Sequence, residues 1–204
     1  MIAEDLQGNV IDLEGHELVT VELGHTDTDH TTCLHVPSIG LLVAGDAAYN
    51  DVHLYFSESN AQKRQEWIAA LDKIESLNPR AVVASHKRLD NDDNPRIIEE
   101  TRQYIRDFDR LADKTKTAQE LYDKMLELYP NRINPGWALW SSARAVKSYI
   151  EELFRADRDC SGQRSAAVKL QPPADFRDRD RKSRRAPTCQ ILPAMLPPQR
   201  NSWR

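Results

Sequence analysis

Cysteine and glycine are scarce in this 204-residue chain, and their scarcity excludes several classes of protein. The three cysteines, Cys33, Cys160 and Cys189, stand far apart and form no CxxC pair, which argues against a disulfide framework and a thiolate zinc finger. The presence of only 7 glycines excludes a collagen-like chain. No apolar run approaches the roughly 18 residues that a membrane-spanning helix needs, so we expect no membrane partner.

The first fifteen residues lack the features of a secretion signal. The segment MIAEDLQGNVIDLEG has neither a basic start nor an apolar run. Together with the sparse, unpaired cysteines, this predicts a cytoplasmic protein in a reducing environment.

Charge is distributed unevenly along the chain. The net charge is -4, yet residues 157–204 contain 11 Lys and Arg against 5 Asp and Glu, so the remainder is strongly acidic. An acidic body is a poor partner for nucleic acid. Residues 157–204 also lack apolar periodicity. We therefore predict a basic disordered tail that follows a domain of residues 1–156.

The apolar pattern predicts an α/β domain. Alternating Val and Leu predict a strand at 17–24, and β-branched residues predict a second strand at 31–36. Short apolar runs predict buried strands at 41–44 and 81–84. Amphipathic spacing predicts helices at 60–77, 95–111, 116–129 and 137–155, the first of them capped by Asn60. The first helix has an apolar stripe that includes Trp67 and Leu71, and we also assign Trp137 to helix packing. Between Asp46 and the first helix, the sequence predicts a polar loop that extends through Ser59. This order predicts a mixed sheet with packed helices and a C-terminal helical extension.

Three residues that can bind metal stand where a loop leaves an apolar strand: His25, Asp46 and His86. In α/β sheets the strand fixes the backbone and the loop supplies the side chain, so strand ends are where ligands and metals are held. Imidazole and carboxylate are suitable ligands for Zn²⁺. Each residue alone has an ordinary interpretation as a surface or turn residue. The hypothesis of a metal site therefore depends on all three residues occupying strand ends in one domain.

Three segments together, VELGHTDTDHTT, LHVPSIGLLVAGDAAYNDVH and VVASHK, resemble the second half of a metallo-β-lactamase-fold hydrolase. The resemblance implies part of an αββα fold and a metal-dependent hydrolase that acts on a small molecule. It also implies that His25, Asp46 and His86 are metal ligands, with Zn²⁺ as the expected ion. Asp46 would bridge two ions in the family and is the implied catalytic residue.

The family's other ligands come from an upstream HxHxDH motif, and nothing ahead of His16 matches it. The segment from His25 to His30 mimics the motif, which would give Asp29 and His30 a role. We keep these two as weaker candidates, because the chain continues from them as a strand and not as a helix. Two further weak candidates, Tyr49 and His53, follow Asp46 and have an equally plausible interpretation as a turn residue and a solvent-exposed residue.

The missing motif predicts a truncated and impaired enzyme. The alternative is a non-catalytic fragment or an interaction protein with no turnover. A half-domain also leaves one sheet face without its partner. We expect that face to be apolar and to promote self-association.

Overall fold

The computed structural model describes residue 6 and residues 8–148. In this part, five strands form one sheet in chain order: β1 (Val10–Leu13), β2 (His16–Gly24), β3 (Thr31–Val36), β4 (Leu41–Asn50) and β5 (Ala81–Lys87). The pairings from β1 to β4 are antiparallel, whereas β4 and β5 run parallel. The predicted mixed sheet is therefore confirmed.

Helices follow the order that the sequence predicts: α1 (Ala61–Ser76), α2 (Arg96–Lys114) and α3 (Ala118–Leu128). The side chain of Asn60 caps α1 by accepting a hydrogen bond from the Lys63 amide, as predicted. After α3, a π-helical turn (Pro135–Leu139) leads into a helix that the structure describes over residues 140–148. The predicted boundary at residue 156 and the predicted tail lie outside the described residues.

The core lies on one face of the sheet, against α1 and α2. Leu42 and Ala44 of β4 are buried, and so are Trp67 and Leu71 from the apolar stripe predicted for α1. Full burial of a leucine side chain contributes about 1.5–3 kcal/mol to the stability of the fold. The Trp67 indole also donates a 2.8 Å hydrogen bond to the Ala47 carbonyl, so α1 holds the backbone of β4 directly after Asp46.

The opposite face of the sheet is apolar and partly exposed. Val43 alternates with Leu42 and Ala44 along β4 and is 37% exposed, and Ile11 of β1 is 40% exposed. This matches the expected apolar surface, and self-association through it stays a prediction. Within the described residues, no helix is both long and apolar enough to cross a bilayer.

The segment after Asp46 differs from the sequence-based prediction of a polar loop that extends to Ser59. The strand continues to Asn50, and Leu54 and Phe56 are then fully buried. Distant groups satisfy the backbone of this segment, since the Phe56 amide donates to the Ser142 hydroxyl at 2.7 Å. Short-range patterns carry no information about such partners. The sequence pattern also does not predict the strand β1.

Candidate metal centre

Strand β4 is distorted where it carries Asp46. Gly45 has φ = 59°, a left-handed conformation that strains residues with a side chain. The register of β4 against β5 shifts on both sides of this glycine, between Val43 and Gly45 and again before Tyr49. Irregularities of this kind re-aim the side chains beside them. Here Asp46 is brought alongside β5.

His86 lies near the carboxyl end of β5, opposite Tyr49 of β4. Its Nε2 atom is 3.3 Å from Oδ1 of Asp46. The Tyr49 ring stacks on the imidazole, with centroids 4.7 Å apart and an interplanar angle of 26°. Asp46 and His86 therefore meet along two parallel strands, as the position of both residues after apolar runs indicated.

Asp27 is the third member of this cluster. One ligand atom from each of Asp27, Asp46 and His86 lies within 4.8 Å of the other two. Asp27 is buried in the loop between β2 and β3, and its Oδ2 accepts a 3.3 Å hydrogen bond from the Tyr49 hydroxyl. Burial raises the pKa of the Asp27 carboxyl, and the neighbouring negative charge of Asp46 raises it further.

This donor set suits a divalent cation. Two carboxylates in a partly buried position repel one another, and a cation between them would offset that repulsion. Carboxylate oxygen and imidazole nitrogen are both ligands of Zn²⁺ and of neighbouring transition metals. The cluster is therefore a possible metal site, and its composition does not by itself select one metal.

His25 lies outside this cluster. Its Nδ1 is 2.8 Å from Oδ1 of Asp29, and its Nε2 is 2.7 Å from the Ser59 hydroxyl. Asp29 also forms an ion pair with Lys63, at 2.9 Å, near the start of α1. Both ring nitrogens of His25 are thus engaged, and it must release one of these hydrogen bonds before it can bind an ion. Its role as a ligand stays a prediction.

The weaker candidates occupy different surroundings. Tyr49 touches both Asp27 and His86, whereas His30 is exposed in the loop, with φ = 62°. Asp29 is exposed too, and it contacts His25 and Lys63, which both lie outside the cluster. His53 is fully buried, with Nδ1 2.8 Å from the Tyr104 hydroxyl, so its interpretation as a solvent-exposed residue is wrong.

Sequence reasoning did not select Asp27 as a ligand. Asp27 stands two residues after His25 in the segment HTDTDH, in which the resemblance favours Asp29 and His30 as weaker candidates instead. The available signal was the density of carboxylates in one short loop. That signal does not say which carboxylate points towards β4.

Buried His53 predicts a loss of stability in acid. Burial, with the nearby positive charge of Arg132, lowers the pKa of His53 from its ordinary 6.5 to about 4. Between these values the unfolded chain takes up the proton first, so the free energy of unfolding falls as the pH drops from about 6.5 to about 4. We expect this residue to account for about 2 kcal/mol of the loss between pH 7 and pH 4.5.

Urea unfolding at these two pH values tests this expectation. A His53→Gln variant should lose less stability on acidification than the unmodified chain does. His16→Gln, at an exposed position, should leave the loss unchanged. Equal acid losses in all three proteins would contradict the assignment.

An α/β layer with a carboxylate and an imidazole on two neighbouring parallel strands, and a second carboxylate in an adjacent loop, defines a domain with a possible metal site. Residues 3–86 match the family model described as the metallo-beta-lactamase superfamily. The matched segment contains Asp27, Asp46 and His86, and it confirms the family resemblance.

Several solved structures are similar to this chain. A metallo-beta-lactamase family protein from Thermus thermophilus is 22% identical, with a TM-score of 0.49, over 73% of this chain and 48% of that one. A beta-lactamase domain protein from Burkholderia ambifaria is 15% identical, with a TM-score of 0.47, over 77% of this chain and 48% of that one. A metallo-beta-lactamase from Pontibacter korlensis is 14% identical, with a TM-score of 0.41, over 49% of this chain and 46% of that one. The chain thus spans about half the length of these structures. No curated protein matches it.

Proposed function

We propose that this protein is a metal-dependent hydrolase of the metallo-β-lactamase superfamily, with Zn²⁺ as its ion and a small molecule as its substrate. The observation that carries the proposal is the convergence of Asp27, Asp46 and His86 inside the segment that matches the family. These three residues would hold the ion. When bound, the ion would supply a Lewis acid and a water molecule of lowered pKa.

The surrounding residues favour this role. Tyr49 donates a hydrogen bond to Asp27 and stacks on His86, so one side chain restrains two of the three donors. Removing a group that orients metal ligands in this way commonly lowers metal affinity or activity by about 10–100-fold. The side chains of Asp46 and His86 are partly exposed, at 45% and 42%, which leaves room for a substrate to approach.

We propose that turnover by this chain is low. Apart from the three donors, we identify no side chain at the centre, within the described residues, placed to orient an attacking water molecule or to protonate a leaving group. The alternative function is a chain that binds metal without turnover.

A zinc titration of the full chain tests the metal centre. We expect binding of about one equivalent, and His86→Ala should weaken it by at least about tenfold, on the order expected when a metal contact is removed. His16→Ala, at an exposed position at the start of β2, serves as the matched control and should bind like the unmodified chain. No zinc above background, or equal effects of the two substitutions, would contradict the proposal.

Hydrolysis rates of generic ester, thioester and phosphodiester substrates are measured with the same proteins. Rates equal to those of free Zn²⁺ are the expected result. A faster rate that Asp46→Ala abolishes would show a working hydrolase and would exclude the non-catalytic alternative.

A further inference from the structure

Three side chains outside the metal-binding cluster form a hydrogen-bonded chain of hydroxyl, imidazole and carboxylate. The Ser59 hydroxyl is 2.7 Å from Nε2 of His25, and Nδ1 of the same ring is 2.8 Å from Oδ1 of Asp29. With the ring proton on Nδ1, His25 donates to Asp29 and accepts the Ser59 proton at Nε2. This is the geometry in which a histidine activates a serine, and it is recognised by distances and roles and not by order along the chain.

Contacts with neighbouring groups hold Ser59 in this position. The Ser59 amide donates to the Phe56 carbonyl at 3.0 Å, and the Ser59 carbonyl accepts from Arg64 at 2.6 Å. The hydroxyl has a second acceptor, the Thr26 carbonyl, at the longer distance of 3.3 Å. The shorter contact, to His25, is therefore the favoured one. A nucleophile fixed in this way needs little reorganisation before it reacts.

Ser59 lines a cavity of about 720 Å³, a volume typical of small-molecule sites. Asn60 and Ala61, the cap and the first residue of α1, line the same cavity. The first amide groups of a helix have no partner within it and carry partial positive charge, so this end of α1 would stabilise an oxyanion. Ala112 and Val146 provide apolar surface for an acyl chain.

We propose that Ser59, His25 and Asp29 form a nucleophilic triad, and that Ser59 accepts an acyl group from activated esters. The Ser59 oxygen attacks the ester carbonyl, and its proton passes to Nε2 of His25. The bond to the leaving oxygen then breaks, and the leaving group departs as an alcohol with the bonding electron pair and the proton from His25. Asp29 is a positioning residue, because it holds the ring and stabilises the imidazolium.

This reaction goes beyond the proposed function, because it uses none of the three metal-binding residues and needs no ion. Ser59 is only 5% exposed, so an acyl group on its oxygen would keep water away from His25. We therefore expect one acylation of each chain followed by slow release, with little turnover.

Reaction of p-nitrophenyl acetate with the full chain, in the presence of a chelator, tests the triad. We expect a burst of about one equivalent of p-nitrophenol, and peptide mapping should locate the acetyl group on Ser59. His25→Gln should slow this acylation about 100-fold, as loss of a general base implies. Asp29→Asn should slow it about tenfold, because one hydrogen bond to a charged group is weakened. Ser76→Ala removes an exposed serine at the end of α1 and should leave the rate unchanged.

Acetyl groups on lysine side chains with Ser59 unmodified would overturn the proposal, and so would acylation of Ser59 at the same rate in His25→Gln. The position of the acetyl group is read in the unmodified chain, so it does not depend on the folding of a variant. Acylation that requires added zinc would also overturn the triad, because the ion would then be what activates the nucleophile. Failure of the chain to bind zinc would contradict the proposed function only, since the acylation is measured without metal.

Discussion

Replacing Asp27 by Asn is expected to weaken zinc binding by about 100-fold, whereas His25→Ala should change it by less than about threefold. Asp27 shares the cluster with Asp46 and His86, and the amide side chain keeps its size but loses its charge. His25 has both ring nitrogens engaged by Asp29 and Ser59. Competition with a chromophoric chelator measures both affinities.

The control for this comparison comes from the same loop. Asp29→Asn removes an identical charge two residues from Asp27, at an exposed position outside the cluster, and it should weaken binding only slightly. The opposite order, with His25→Ala more damaging than Asp27→Asn, would show that His25 leaves Ser59 and binds the ion. The ligand set implied by the family resemblance would then hold.

Replacing Arg64 by Leu should lower the free energy of unfolding by about 3–5 kcal/mol, the largest stability change that we expect from a single ion pair. Arg64 is buried in α1, where its Nε pairs with Asp109 of α2 and its Nη1 donates to the Ser59 carbonyl at 2.6 Å. The guanidinium also lies over the ring of Phe108. Without it, the largely buried Asp109 carboxylate loses its counter-charge and keeps a hydrogen bond from Gln65, and the Ser59 carbonyl loses the hydrogen bond from Arg64.

Urea unfolding measures the effect, and two variants show its cause. The double substitution Arg64→Leu with Asp109→Asn should recover part of the lost stability, because the unpaired charge is gone. Arg106→Ala removes an exposed arginine of α2 whose contact with Glu99 is 3.5 Å, and it should cost less than about 1 kcal/mol. Equal costs for Arg64→Leu and Arg106→Ala would contradict this account.

The Arg64 substitution also bears on the metal centre. The Ser59 carbonyl accepts a hydrogen bond from Arg64, and the Ser59 hydroxyl lies 2.7 Å from Nε2 of His25. Loss of the hydrogen bond between Arg64 and Ser59 should free His25 to move. If His25 then becomes a ligand, Arg64→Leu would bind zinc more tightly than the unmodified chain, provided that the titration is made under conditions where the variant is folded.

Much of the fold could be predicted from local pattern. The predicted strand Thr31–Val36 matches the observed one, and Asn60 caps α1 as expected. The stretch from Val52 to Phe56 was misjudged, because its burial depends on residues 133–142, which are far away in the chain. The sequence assigns Trp137 to helix packing, because an indole at helical spacing usually is buried, but the structure places it in the π-helical turn, where it is 60% exposed.

By itself, the sequence determined most of the segments that form strands and helices, although not β1 or the second half of β4. It also determined that Asp46 and His86 follow buried apolar runs. Both features depend on residue spacing within short windows, which the backbone geometry of strands and helices dictates. Only the tertiary structure decided which side chain of the β2–β3 loop joins them. His25 and Asp27 are two residues apart, and their directions depend on Ser59, 34 residues after His25, and on Tyr49, 22 residues after Asp27. Contacts of that range are absent from any local pattern, because folding alone brings their partners together.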